Sequence, residues 1–169
     1  MLYVKRRFCC SYMPITAPKA DSIEKFIEDY ERNLRTAILR ILAEEATEVV
    51  DKIKLFVGAG GYRKYQDQSG NLTSSVGFVI VDNGKIVTEY GFEAIKPTAT
   101  EGVAAGRGYA TQLAATYPQG ITTIVVAGMN YAAYVEKRNL GGMTAGEQAL
   151  RNAIHTEMQL LQQQLKSQL

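Results

Sequence analysis

Between Ile23 and Ile53 apolar residues return every three or four positions: Ile23, Phe26, Ile27, Tyr30, Leu34, Ile38, Ile41, then Val49 and Ile53. Glu28, Arg32, Arg35, Arg40 and Glu44 fill the opposite side. This is the period of one face of an α-helix. Asp21 and Glu24 stand three apart, the spacing at which an N-cap carboxylate and an N3 glutamate satisfy orphan amides. Gly58-Ala-Gly-Gly61 supplies a stop. The spacing predicts a single helix to about Leu55, and at ~1.5 Å per residue it is about 50 Å long. A chain of 169 residues does not usually bury such a helix along its whole length, so part of the apolar stripe is expected to meet another subunit.

After the glycines the pattern becomes β-rich. Val76-Gly-Phe-Val-Ile-Val81 and Ile86-Val-Thr-Glu-Tyr-Gly-Phe92 flank Asp82-Asn-Gly-Lys85. Asn-Gly between two such runs is the strongest short hairpin signal, because a type I′ turn needs positive φ at both central positions. From Lys96 to Tyr117 the alanines 104, 105, 110, 114 and 115 favour a short helix that Gly106 and Gly108 weaken. Pro118-Gln-Gly120 turns the chain into Ile121-Thr-Thr-Ile-Val-Val-Ala-Gly128, whose β-branched density reads as a central strand. Thr144 and Glu147 repeat the capping-box spacing ahead of Leu150, Ile154, Met158, Leu161 and Leu165, a C-terminal helix to about Lys166. The expected fold is α+β: a long N-terminal helix, a small antiparallel or mixed sheet with a hairpin, and a C-terminal helix packed on the sheet. Residues 1–20 are expected to be a flexible extension and residues 21–169 one domain.

Composition closes several functional classes. His155 is the single histidine, and Cys9 and Cys10 are adjacent, which leaves no four-ligand zinc cluster and no histidine-dependent triad. A net charge of +2 lacks the concentrated basic footprint of a phosphate binder, and no apolar run approaches a membrane span. The early basic residues precede an apolar run too broken for a signal core, so a reduced, cytoplasmic setting is expected. Gly102-Val-Ala-Ala-Gly-Arg-Gly108 has glycines but neither the Lys-Ser/Thr of a phosphate loop nor the strand before it and acid after it of a dinucleotide fingerprint. Tyr62-Arg-Lys-Tyr65 interleaves rings and cations over only four residues. Asp67, Glu89, Glu93, Glu101 and Glu136 fall at no spacing that makes an acid and base pair.

Two segments remain. In Tyr65-Gln-Asp-Gln-Ser-Gly-Asn-Leu-Thr-Ser-Ser-Val76, Gly70 and Asn71 tolerate unusual backbone angles, Leu72 offers one buried anchor, and the hydroxyls can cap the backbone ahead of the hairpin. In Met129-Asn-Tyr-Ala-Ala-Tyr-Val-Glu136, Tyr131 and Tyr134 stand three apart with small residues between, a pattern that suits a packed strand end or an interface.

At these segments the chain resembles the HK97 gp10-like family of tailed-phage head–tail joining and tail-completion proteins. Members carry Thr/Ser-Gly-x-Leu-x-x-Ser-Ile/Val before a sheet and, later, Tyr-Ala-x-Tyr-Val-Glu. Here Gly70, Asn71, Leu72 and Ser75 fall in Ser69–Val76, and Tyr131, Ala132, Tyr134, Val135 and Glu136 form the second motif. The likeness runs from about Asp21 to the end. Thr73 replaces a usual basic residue, and Lys137-Arg-Asn-Leu-Gly-Gly142 replaces an aromatic followed by Gly-Thr. The resemblance implies a non-enzymatic virion part without cofactor or metal. It implies a homo-oligomeric ring, commonly six-fold, whose partners are the head–tail connector and tail-tube proteins. Its subunits would be made in the host cytoplasm, monomeric before assembly, and would neither enter a membrane nor bind a specific nucleic acid. The alternative is a nucleic-acid or small-ligand binding module without catalytic activity.

Overall fold

A computed structural model describes residues 23–58, 67–137 and 142–167. The expected extension 1–20, Cys9 and Cys10, the Asp21 cap, the glycines after residue 58 and the Tyr62–Tyr65 segment lie outside the described residues. The chain divides into two units, Met1–Arg35 and Thr36–Leu169. Helix α1 is continuous over Ile23–Gly58, so the predicted long helix is present.

In the first unit the described residues are one stretch of α1. Phe26 and Tyr30, four apart on one face, stack with ring centroids 6.5 Å apart. Ile23, Ile27 and Tyr30 are 50, 49 and 39% exposed. Asp29 and Arg32 form an exposed ion pair of 2.5 Å.

The second unit is an α+β fold built on a three-stranded antiparallel sheet. After the short helix α2 (Asn71–Ser74) come β1 (Val76–Asp82), β2 (Lys85–Tyr90), α3 (Thr100–Ala114), β3 (Ile121–Ala127), α4 (Ala132–Val135) and α5 (Gly142–Lys166). The order is β2-β1-β3. Phe78 lies opposite both Tyr90 and Val125, and Val79 opposite both Glu89 and Ile124. The hairpin forms as predicted, with Asn83 at φ 48° and Gly84 at φ 78°.

Alternation along β1 sends its side chains into two cores. Val76, Phe78 and Ile80 pack with Leu42, Ala46, Val49, Val50 and Ile53 of α1 and Leu150 of α5. Val79 and Val81 pack with Phe92, with Ala110 and Ala114 of α3, and with Ile124 and Val126. The expectation that Ile121–Gly128 is the central strand is therefore corrected: β1 is central and β3 is an edge. The β-branched density of β3 reflects the burial of its two faces, Ile124 and Val126 on one and Ile121 and Val125 on the other, and says nothing of neighbours along the sheet.

The weak, glycine-interrupted segment is a full helix, α3, of 15 residues. Two of its glycines, Gly102 and Gly106, are contact surface. A Cβ on Gly106 would sit 2.5 Å from the Ser75 carbonyl oxygen, and one on Gly128 would sit 2.4 Å from the Gly106 Cα. Only bare backbone lets α3 approach the sheet so closely, and that packing offsets the helix propensity lost. Gly102–Gly108 is thus not a phosphate-cradling loop; its Arg107 pairs with Glu89 of β2 at 3.0 Å. On the other face, Gly142 meets Phe56 and Gly146 meets Ile53, while Glu157 faces Glu45, so α5 runs antiparallel to α1.

Candidate assembly site

Antiparallel pairing places the entry to β1 and the exit from β3 at one end of the sheet, with Val76 opposite Ala127. The Gly128 amide donates to the Ser75 carbonyl at 3.2 Å. The two segments singled out in the sequence therefore flank the same end of the sheet, 55 positions apart in the chain between Val76 and Tyr131.

The first is a polar knot. Gly70 (φ +78°) starts α2, and the Asp67 carboxylate accepts from the Gly70 amide at 3.0 Å and from the Thr73 amide and hydroxyl, both at 2.7 Å. The two amides are orphan donors of a helix N-terminus, met by an acid that also suits its positive end. Asn71 does not take a left-handed conformation, since Asn83 is the sole non-glycine with positive φ among the described residues. Its side chain instead accepts from the Gly102 amide at 3.1 Å, capping α3. A Cβ on Gly102 would lie 2.1 Å from the Asn71 carbonyl oxygen. Leu72 is buried. Ser75 donates to the Leu72 carbonyl at 2.8 Å, and Ser74 accepts from the Ile95 amide at 3.0 Å. Lys96 and Thr98 close the knot by donating to the carbonyls of Asp67, Gln68 and Ser69.

The second segment presents a surface. Tyr131 and Ala132 are half-buried, Val135 is buried, and Tyr134 between them is 59% exposed. Glu136 reaches the start of α5, accepting from the Met143 amide at 3.3 Å, the Thr144 amide at 2.9 Å and the Thr144 hydroxyl at 2.6 Å. The expected Thr144–Glu147 capping box does not form. Glu147 pairs with Arg151 at 2.9 Å, and Glu136 is the capping acid. Comparison with known protein families, curated proteins and solved structures finds no match.

Other polar groups serve the fold. Tyr90 donates to Asp51 at 2.9 Å, which holds the phenol above its usual pKa. Lys54 donates to the Gly91 carbonyl, and burial pushes its pKa down while Glu93 and Asp51 oppose the shift. His155 is exposed beside Gln159 at 2.8 Å. Among the described residues no three His, Cys, Asp or Glu side chains gather as metal ligands, and no helix is long and apolar enough to cross a membrane.

Sequence reasoning missed Asp67 and Glu136 as caps. Asp67 had a readable signal, an acid three residues before a glycine that opens a Leu-Thr-Ser-Ser turn. Glu136 had none, because no sequence spacing ties it to the Met143 and Thr144 groups it caps.

Proposed function

We propose that this chain is a structural virion protein of a tailed phage or prophage, a head–tail joining or tail-completion component that works as a homo-oligomeric ring. The observation that carries the reading is the exposed apolar face Ile23, Ile27 and Tyr30 on α1, a stripe at helical spacing of the kind a neighbouring subunit covers. Tyr134 supports it: the ring is exposed on a turn pinned by buried Val135 and by Glu136, so it offers contact area at little cost in conformational entropy. A ring needs two different complementary surfaces on each subunit, and a helix face and a tyrosine turn are two such surfaces. Its partners are connector and tail-tube proteins, and its place is the host cytoplasm during assembly and the neck or tail of the finished particle.

The test is location. Antibody-gold labelling of purified particles from the encoding phage or induced lysogen is expected to mark the neck or the head-proximal tail end, with mass spectrometry finding several copies per particle. Particles free of the protein would overturn the reading.

A further inference from the structure

The outer edge of β3 is an open surface. Among the described residues β3 pairs only with β1, and Ile121–Ala127 holds no charge and no proline. Sheets usually guard such edges with lysine, proline, a bulge or a cover, because unpaired amides and carbonyls template another strand. The opposite edge is guarded: β2 carries Lys85 and Glu89, and its pairing with β1 is irregular at Ile80/Val81.

Beside β3 lies a groove of about 530 Å³ whose lining includes Leu42, Val125, Met143, Leu150 and Ile154. Thr122 and Thr123 point to opposite faces yet both line it, so the groove reaches across the edge of the strand. A fourth strand laid along β3 would drop alternate side chains into it. The end of the groove at Leu42 and Ile154 is acidic. Three residues further along each helix stand Glu45 and Glu157, while Glu44 and Glu48 close by are paired with Arg40 and Lys52. Desolvation and then the nearby carboxylates push the Glu45 pKa up, with Lys52 opposing the shift, an environment that still favours a further cationic neighbour.

We propose that the β3 edge and its groove bind residues Lys5–Met13 of a second copy of this chain by strand addition; this rests on the ring reading above and gives the ring its joint. Lys5-Arg6-Arg7 matches the carboxylates in charge. Phe8-Cys-Cys-Ser-Tyr-Met13 is uncharged and free of glycine and proline, and Pro14 then stops strand pairing. Six extended residues span about 20 Å and seven about 23 Å, so the segment matches β3 in length. Donation from one copy to the next is a heterologous contact, the type that closes rings.

The full-length chain supplies its own probe, since Cys9 and Cys10 are its only cysteines. Adjacent residues of an extended strand face opposite ways, so one of the two shares a face with position 123 whichever way the segment runs. The Thr123 hydroxyl is buried without a hydrogen-bond partner, so Thr123→Cys removes no hydrogen bond. Mild oxidation of Thr123→Cys is expected to give a covalent species of twice the chain mass, about tenfold more than wild type or a Val87→Cys control on the guarded edge. Adding Arg6→Glu, or raising salt to roughly 1 M where the Debye length is ~3 Å, is expected to cut that yield about fivefold. Far-ultraviolet circular dichroism checks that each variant is folded. Equal yields at positions 123 and 87, or a yield indifferent to Arg6→Glu and to salt, would overturn the proposal. The crosslink reads only the joint: its absence from a protein still found at the neck discards the strand addition alone, and its presence in a protein missing from particles discards the virion reading alone.

Discussion

Asp67 contributes three hydrogen bonds from one side chain, and it holds the turn that feeds the central strand. Asp67→Ala is expected to cost about 1–3 kcal/mol in urea unfolding, since it leaves partly buried donors unmet. The same logic separates two glutamates at α5. Glu136→Ala is expected to cost about 1 kcal/mol as a lost cap. Glu147→Ala, at the position the sequence favoured, is expected to stay within about 0.5 kcal/mol because its exposed pair with Arg151 is weak. Glu45 gives a pH signature. Its folded-state pKa is raised, so its contribution to stability is fully present below the ordinary value of 4.5 and is lost as pH rises through the folded value. Glu45→Gln is therefore expected to match wild type in thermal melts below pH 4.5 and to melt slightly higher at pH 7–8.

At the scale of elements, the readable parts were those whose signal is local. The helical period of α1 and the Asn83-Gly84 turn follow from side-chain spacing and backbone φ, which neighbours in sequence decide. What misled was tertiary. The glycines of α3 lower helix propensity in isolation, yet Gly102 and Gly106 are what let it lie against Asn71, Ser75 and Gly128. β3 looked central because both its faces are partly covered, while strand order depends on partners far away in sequence. Glycine substitutions divide the two effects. Gly108 has open space beyond it, so Gly108→Ala is expected to stabilise by about 0.5–1 kcal/mol through helix propensity. Gly106→Ala drives a methyl into the Ser75 carbonyl oxygen on one side and the buried Phe92 ring on another, and is expected to destabilise by ~3 kcal/mol or more. Urea titrations of both variants check the pair.

For the whole molecule, the two motif segments are placed differently. Gly70, Asn71, Leu72 and Ser75 are internal to the knot where α2, α3 and β1 meet, so substitutions there act through folding. Tyr134 is displayed by the turn that Glu136 fastens, and in the proposed reading its ring is a contact surface. Tyr134→Ala is expected to change the unfolding free energy by no more than about 0.5 kcal/mol while lowering the yield of infectious particles. That difference was not legible in the sequence, where the first segment read as a polar turn with one apolar anchor and the second as a packed strand end or an interface. The most direct measurement is electron microscopy of particles made by the encoding phage or lysogen with this gene deleted. DNA-filled heads lying apart from finished tails, restored to whole virions by the wild-type gene in trans, is the predicted outcome; normally joined, infectious virions from the deletion would contradict it.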